Sequence, residues 1–380
     1  MYNTRDIEEL LKGLRQEKDT DQWCRNYVKE LTVNELPDAP IILEEVKSKL
    51  HFRGTDDELI ALMGKNDLVI TIGLNGKLTT LPMGETAKSD IIARAGCKGG
   101  NLFRKISAKD MEAFFEMAKN YYPATLALSL VRDGKVQAVK SGDDNDYSIL
   151  PKIDLVEKLI ERLDADFLGY EFDKSVYDEE MDILTVDFRL GNSMASSIID
   201  QLNEELKRVG MPTLDGYEPI IRFRTSDLGY MAATVFPHLI GSNGKSFTLG
   251  NTLCLTHKNK HTPDDFANIC LQMFASVKEA TEEILSLANI TILHPSQCFS
   301  NLVKKKVLPI KEAEIALENM KQSVGTSCTA YELYYYLNEI VSYLDATNQN
   351  KILDVEERIA QCIGILLSDK LRMSVDTSLQ

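Results

Sequence analysis

Runs of alternating apolar and polar residues, each interrupted by a glycine-containing turn, constrain the fold of this chain most strongly. The runs at 67–81 and 125–140 are centred on Asn-Gly and Asp-Gly pairs, and the run at 219–240 contains Gly229. These pairs tolerate the positive φ angles of a type I′ turn, so each run predicts a β-hairpin. No run alternates with a crossover helix, and the pattern therefore favours an antiparallel sheet over a doubly wound parallel one.

Helical periodicity is found between the hairpins and at both ends of the chain. Apolar residues recur at helical spacing in Ile7, Leu10 and Leu14, and again in Trp23 and Tyr27, so residues 1–65 are predicted to be helical. The remaining predicted helices are 107–120, 151–164, 195–209, 262–287, 310–324, 329–344 and 355–371, and a further strand is predicted at 183–190.

These patterns predict an α+β fold in three regions. The regions are a helical N-terminal part (1–65), an α+β core (66–261) and a helical C-terminal part (262–380). We expect the hairpins at 125–140 and 219–235 to lie in one antiparallel sheet, covered by the helices at 150–163 and 195–209, because an amphipathic helix follows each hairpin.

Charge is distributed unevenly along the chain. The formal net charge is −15, and residues 141–190 contain fifteen acidic and five basic side chains. Residues 86–106 and 220–261 each carry a net charge of +4, and four lysines lie within 302–311. The overall charge argues against nonspecific binding of polyanions, whereas the basic segments leave room for a local basic surface.

The expected location is the cytoplasm of a host cell. The seven cysteines are scattered, form no Cys-x-x-Cys pair and are odd in number, which favours reduced thiols over a disulfide framework. The charged N-terminus lacks the apolar segment of a signal peptide, and the sequence contains no long apolar run that would span a membrane.

Cys254, His257 and His261 are the most suggestive metal-ligand pattern in the sequence. The spacing supplies three ligands and no complementary second pair, so we expect no structural metal there. The acidic runs at 143–146 and 178–180 have no neighbouring base that would indicate catalysis, and the glycine loops at 96–101 and 241–246 lack the spacing of a phosphate-binding loop. No catalytic residue and no cofactor are therefore predicted.

A family resemblance is carried by five parts of the chain: 131–141, Tyr147, 150–163, 225–235 and 329–334. These segments resemble the phage/plasmid-like protein family, a domain of unknown function found on prophages, plasmids and phages, and the resemblance covers roughly 86–345. The chain has Leu255 and Thr256 where the family usually has an Asn-Gly pair after the cysteine. The resemblance implies that the protein belongs to a mobile genetic element, and it implies no particular activity.

Two functional hypotheses follow from the charges and the resemblance. The first is that a mobile-element protein binds single-stranded nucleic acid during recombination or annealing, since an antiparallel sheet with basic side chains is a common platform for such strands. Its expected binding residues are the basic side chains of the three positive segments: Arg222, Arg224, Lys98, Arg104, Lys105, Lys304, Lys305 and Lys306.

The second hypothesis is a non-enzymatic anti-defence protein that binds a host protein through an acidic surface. Asp143, Asp144 and Asp146 are the residues expected to contact that partner. Homo-oligomerisation is left open by both hypotheses, and neither involves a membrane. Five tyrosines between 331 and 343 would either stack on bases or pack in the core, and their helical spacing favours the core.

Overall fold

A computed structural model gives the fold of the chain over most of its length. The described residues are 2–36, 40–50, 52–63, 68–94, 106–121, 125–143, 147–190, 195–241, 246–249, 252–304, 310–324 and 327–347, together with Ile359, Cys362 and Leu366.

The fold is α+β, and its strands are antiparallel. The described helices are α1 (Ile7–Thr20), α2 (Pro40–Lys49), α3 (Asp56–Met63), α4 (Glu85–Arg94), α5 (Ala108–Ala118), α6 (Lys152–Asp166), α7 (Ala195–Arg208), α8 (Pro263–Cys270), α9 (Met273–Ala288), α10 (Pro295–Lys304), α11 (Ile310–Val324) and α12 (Ala330–Thr347). The strands are β1 (Gln22–Tyr27), β2 (Thr32–Glu35), β3 (Leu68–Leu74), β4 (Lys77–Pro82), β5 (Leu126–Arg132), β6 (Lys135–Ser141), β7 (Glu171–Asp178), β8 (Ile183–Arg189), β9 (Tyr217–Ser226), β10 (Ala233–Gly241), β11 (Ser246–Thr248), β12 (Leu253–Leu255), β13 (Thr291–Ile292) and β14 (Cys328–Thr329). None of these described helices combines the length and apolarity needed to cross a membrane.

Two three-stranded sheets pack around one apolar core in the first third of the chain. Their strand orders are β2-β3-β4 and β1-β5-β6, and a parallel bridge between Met83 and Val136 joins them. Strands β5 and β6 meet at Asp133 and Gly134, whose φ angles of 52° and 69° match the type I′ turn that the sequence predicts. Apolar side chains of both sheets and of helices α4 and α5 fill the space between them.

A larger sheet forms the centre of the fold. Its strand order is β11-β10-β9-β8-β7, and β12 also pairs with β10. One face packs against α1, α6 and α8 through Val186, Phe223 and Val235, which are fully buried. A separate core joins α7, α9 and the C-terminal helices to β10 and β11, and it contains the buried rings of Tyr331 and Tyr334. The alternative in which these two tyrosines pack in the core is confirmed.

The two hairpins that were expected to share a sheet lie in different sheets. Strand β1 is the further neighbour of β5, whereas β8 is the neighbour of β9. In each sheet, a strand from outside the two hairpins therefore pairs next to the hairpin, and the other hairpin does not. The prediction of a single sheet is wrong, because turn chemistry determines a hairpin but does not choose its next neighbour.

The helical prediction for the first sixty-five residues is wrong between Gln22 and Glu35. Residues Trp23 and Tyr27 lie in strand β1, and β2 follows after a short 3-10 turn. Asp21 ends α1 in an extended conformation, and the next residues add to the edge of β5. The spacing of four residues between Trp23 and Tyr27 is compatible with one face of a helix and also with one face of a strand. The pairing with β5 decides that these residues form a strand.

A predicted helix and an unpredicted strand also differ from the sequence analysis. The helix expected at 262–287 is two helices, α8 and α9, that are separated by Leu271 and Gln272. Strand β7, which pairs with β8, was not predicted, because its polar sequence EFDKSVYD has no apolar stripe. Its burial is partial along most of its length, as expected for an edge strand.

The expectation that Arg222 and Arg224 lie on the surface is wrong. Their side chains extend from the face of the central sheet opposite Phe223, and the residues are only 7% and 1% exposed. Arg222 donates from Nε and Nη2 to the two carboxylate oxygens of Asp187 at 2.7 and 2.8 Å. The guanidinium carbon of Arg224 lies 5.3 Å from the ring centroid of Phe236. Both faces of this sheet are covered, so the basic side chains that alternate along β9 point into the interior.

Replacing Asp187 by Ala should destabilise the protein by about 3–5 kcal/mol, because Arg222 would remain buried without its partner. The double change Asp187→Leu and Arg222→Met should recover most of this loss, since apolar residues can replace a buried ion pair. Urea unfolding monitored by circular dichroism measures both effects. Asp173→Ala, which removes a more exposed partner of Arg189, is the control and should cost less than about 1 kcal/mol. Equal losses in the Asp187 and Asp173 variants would contradict the assignment.

Candidate functional site

Six charged side chains meet in the interior between the central sheet and the β1-β5-β6 sheet. We call them the charge network: Glu17, Asp21, Arg132, Lys152, Asp182 and Asp227. They come from the end of α1, the end of β5, the first residue of α6, the turn before β8 and the residue after β9. Five segments that are distant in sequence are thus held at one point.

Arg132 is the centre of the charge network. Its Nε and Nη2 donate to Asp21 at 2.8 and 2.6 Å, which is the bidentate geometry that guanidinium and carboxylate favour. Its Nη1 donates to Asp182 at 2.8 Å, and Nη2 also contacts Asp227 at 2.8 Å and Glu17 at 3.0 Å. One side chain therefore contacts all four carboxylates.

Lys152 is the second cation of the network and is 2% exposed. Its Nζ lies 2.5 Å from Asp182, 2.8 Å from Glu17 and 3.1 Å from Asp227. Burial alone would lower the pKa of Lys152, but the carboxylates of Asp227 and Asp182 raise it well above its usual value. Lys152 is therefore a charged ammonium group in the interior.

The carboxylates of the network differ in their affinity for protons. Burial would raise the pKa of Asp227, but Lys152 and Arg132 outweigh it and lower that pKa to about 2. Burial raises the pKa of Glu17 and of Asp21, and in both cases the cations offset only part of the rise. Because the folded pKa of Asp227 lies below its unfolded value, its stabilising contribution is present above the unfolded pKa and is lost as pH falls towards about 2.

The three carboxylates of Glu17, Asp21 and Asp227 place oxygen atoms within 4.8 Å of one another. All three contact Arg132, and two of them also contact Lys152, so protein cations already compensate part of their charge. The pattern of Cys254, His257 and His261, at which no structural metal is expected, does not bring its ligand atoms together in the described part of the chain. Cys254 is exposed on β12, and His257 is buried.

Three aromatic rings form a stack beside the charge network, and we call it the aromatic spine. The rings of Trp23 and Tyr147 are 5.8 Å apart with planes at 30°, and those of Tyr147 and His257 are 5.4 Å apart at 13°. The Tyr147 hydroxyl donates to the backbone carbonyl of Asp227 at 2.5 Å. The spine is thereby fixed to a residue of the charge network.

Gly229 lets the turn after β9 approach the spine closely. Its φ angle is +75°, and a Cβ atom built there would lie 3.1 Å from the ring of Tyr147. Any other residue would be disfavoured both by the left-handed backbone and by this contact. The turn and the Tyr147 ring are therefore packed as one unit.

A cleft of about 320 Å³ opens at the His257 end of the spine, and we call it the basic cleft. It is lined by Lys140, Tyr147, Gly229, Met231, Ala232, Thr256, His257 and Lys258. The Lys140 ammonium group donates to Asp90 at 2.6 Å. Lys258 is exposed, and among the described residues it has no ion-pair partner.

Strand β1 presents aromatic and basic side chains on the face that carries the spine. Trp23, Arg25 and Tyr27 alternate along the strand and so point to the same side of the sheet. Arg25 is opposite Leu128, which in turn is opposite Lys140, so the two cations lie in one row on either side of a buried leucine. Tyr27 is 56% exposed, and Arg25 is exposed and without an ion-pair partner in the described ranges.

Two further cavities flank the charge network. One of about 240 Å³ is lined by Trp23, Asp21 and Lys152 among others, and one of about 530 Å³ is lined by Tyr2, Arg132 and Tyr177 among others. The Tyr177 hydroxyl donates to Asp182 at 2.7 Å, and the Tyr2 hydroxyl donates to Glu17. The aromatic spine thus runs from a cavity beside the carboxylates to the basic cleft.

The described structure does not bring the predicted basic residues together. Lys304 is exposed at the end of α10, whereas Arg222 and Arg224 are buried in the central sheet. The other predicted basic residues lie outside the described residues: Lys98, Arg104, Lys105, Lys305 and Lys306.

The predicted acidic contact residues are only partly described. Asp143 is half-buried and accepts a hydrogen bond from the backbone nitrogen of Leu126 at 3.4 Å, while Asp144 and Asp146 lie outside the described residues. Much of the acidic segment that contains them is paired within the molecule. Asp154 and Glu157 pair with Lys18 and Arg15 of α1, as Asp182 and Asp187 pair with Arg132 and Arg222.

Sequence reasoning missed the residues that form the site. Tyr147 and Arg132 lay inside the segments that carry the family resemblance, but nothing in their spacing indicated a charge network. The only local signal for Lys152 was a lysine on the apolar face of a helix, between Leu150 and Ile153, where a solvated side chain is not expected.

No family model, curated protein or solved structure matches this chain.

Replacing Lys152 by Met should destabilise the protein by about 3–5 kcal/mol near neutral pH, because four carboxylates would then share one cation. The pKa values of Glu17 and Asp21, which burial already raises in the folded protein, would rise further without the Lys152 charge. The variant would therefore take up protons on folding, and its deficit should shrink as pH falls from about 7.5 to about 5.5. Urea unfolding at the two pH values measures this change.

The matched control is Lys158→Met, which removes a partly exposed lysine from the same helix. It should leave the unfolding midpoint nearly unchanged at both pH values. A deficit of the Lys152 variant that stays constant or grows as pH falls would disprove the proposed electrostatics.

Proposed function

We propose that the protein binds single-stranded nucleic acid along the exposed β1 edge of the β1-β5-β6 sheet, from Tyr27 to the basic cleft. The observation that carries the proposal is the alternation of Trp23, Arg25 and Tyr27 on one side of β1, in the same rows as the side chains of β6. Exposed rings and cations on an antiparallel sheet are the features that recognise unpaired bases and their backbone.

The exposed groups have the chemistry that such a ligand requires. Tyr27 offers a ring on which a base of any type can stack, and stacking contributes about 1–3 kcal/mol per base. Arg25 and Lys258 offer cations that no described residue neutralises. Strands lie about 4.8 Å apart, so the Arg25 and Lys140 positions are separated by about 10 Å across the sheet.

The overall negative charge of the protein is compatible with this proposal. Several carboxylates of the acidic segment pair with cations of α1 or lie in the charge network, and so contribute little field at the surface. Local charge decides binding at short range, because exposed charges are screened beyond about 8–10 Å at physiological salt.

The resemblance to the phage/plasmid-like protein family supports placing this activity on a mobile genetic element. Such elements expose single strands when they replicate and recombine, so a protein that holds these strands would act in annealing or recombination in the host cytoplasm. The competing hypothesis is an anti-defence protein that docks on a host protein through Asp143, Asp144 and Asp146. Glu179 and Glu180, at the turn between β7 and β8, are exposed carboxylates of the same acidic segment.

Replacing Arg25 by Ala should weaken binding to a short labelled single-stranded oligonucleotide and should reduce the slope of log affinity against log salt by about 0.7. Replacing Tyr27 by Ala should weaken binding by about 1–3 kcal/mol with little change in that slope, because stacking is not an ionic contact. Fluorescence anisotropy over a series of salt concentrations measures both quantities.

The matched controls are Arg208→Ala on α7 and Tyr121→Ala beyond α5, which remove an exposed arginine and an exposed tyrosine from other surfaces. Both should bind as the unchanged protein does. The proposal fails if the unchanged protein does not bind the oligonucleotide even at low salt. Loss of a host partner on changing Asp143, Asp144 and Asp146 to Lys would then favour the acidic alternative.

A further inference from the structure

His257 has an unused hydrogen-bonding atom in the wall of the basic cleft. The residue is only 7% exposed, and its Nδ1 lies 3.2 Å from the backbone carbonyl of Ser148. A carbonyl oxygen only accepts, so Nδ1 carries the proton and donates it. Burial lowers the pKa of His257, which keeps the ring neutral and leaves Nε2 as an acceptor.

Nε2 of His257 is shielded from solvent and has no hydrogen-bond partner among the described residues. A buried acceptor without a donor is unfavourable, and most such atoms in folded proteins are paired. A ligand that enters the cleft, displaces the groups that shield this atom and presents an N–H or O–H group to it would regain that interaction. The neutral tautomer therefore selects a hydrogen-bond donor and does not by itself select an anion.

The remaining polar groups of the cleft select negative charge. Lys258 is exposed, and Lys140 approaches the Tyr147 ring at 5.8 Å while it donates to Asp90. Thr256 adds an exposed hydroxyl. Asp90 offsets the charge of Lys140, so Lys258 supplies most of the uncompensated positive charge.

We propose that the basic cleft holds one nucleotide unit of the bound strand, with its phosphate against Lys258 and Lys140 and a donor of its base or sugar on Nε2 of His257. This inference rests on the proposed function and specifies where a strand is gripped. A cleft of about 320 Å³ is at the lower end of the range for small-molecule sites, which suits a single unit. A nucleotide combines both required features, an anion and nearby hydrogen-bond donors.

The test uses the complete protein and 2′-deoxyadenosine 5′-monophosphate as the probe, with inorganic phosphate and deoxyribose 5-phosphate as comparisons. Isothermal titration calorimetry should show that the nucleotide binds more tightly than inorganic phosphate. If deoxyribose 5-phosphate binds as tightly as the nucleotide, the donor is a sugar hydroxyl. If it binds more weakly, the donor belongs to the base.

Two variants of His257 isolate the role of Nε2. In His257→Asn the amide nitrogen can replace Nδ1 as donor to Ser148, and no atom replaces Nε2. In His257→Gln the longer side chain can place its amide oxygen near the position of Nε2. Both lose the ring from the spine, so they share the same cost in stacking and differ in the acceptor. We expect nucleotide affinity to fall about tenfold in the Asn variant and clearly less in the Gln variant.

Lys258→Gln should weaken nucleotide and phosphate binding alike, and Lys321→Gln on α11 is the matched control for an exposed lysine. In ¹⁵N-labelled protein, the Nε2 resonance of His257 should shift when the nucleotide is added, even if a variant is too unstable for calorimetry. The inference is wrong if phosphate binds as tightly as the nucleotide, or if both His257 variants bind it as the unchanged protein does.

Oligonucleotide binding separates this inference from the proposed function. If the cleft does not hold a nucleotide but the sheet face binds single strands, the His257 and Lys258 variants will bind the oligonucleotide normally while the Arg25 and Tyr27 variants will not. If the proposed function itself is wrong, the unchanged protein will bind no oligonucleotide.

Discussion

Arg132 joins Glu17 to Asp227, which lie 210 residues apart in the chain. Its guanidinium group reaches all four carboxylates of the charge network, and Lys152 shares three of them. Buried ion pairs add little net stability compared with apolar packing, but removing one partner is costly. The network therefore acts mainly by fixing positions: α1, α6, the end of β5 and the turns beside β8 and β9 can meet in one arrangement only.

The aromatic spine depends on that arrangement. Asp227 contacts both cations through its carboxylate, and its backbone carbonyl accepts the Tyr147 hydroxyl, so the position of the Tyr147 ring follows from the network. Trp23 and His257 stack on this ring, so the position of the ring also fixes a side chain of β1 and one wall of the basic cleft. The position of the binding face in our proposal therefore depends on the buried charge network, and a change in the network should alter that face.

Burial on both faces explains why the central sheet is not the binding platform. The apolar residues of β9 face the core with α6 and α8, while Arg222 and Arg224 occupy the other face and are also enclosed. Arg222 is accommodated there because Asp187 on the neighbouring strand offers it a carboxylate. A strand buried on both sides can alternate apolar and basic residues and still expose neither, provided that each charge meets a partner.

The amino-acid sequence by itself determined the hairpins, several helices and the α+β class, because turn chemistry and periodicity act over a few residues. The Asn75-Gly76 and Asp133-Gly134 turns are examples, since their positive φ angles suit few other residues. Only the tertiary structure decided that residues 22–27 form a strand, that the two hairpins separate and that Arg132, Lys152 and Asp227 meet. These outcomes depend on contacts between distant segments, and such contacts leave no periodic signal in the local sequence.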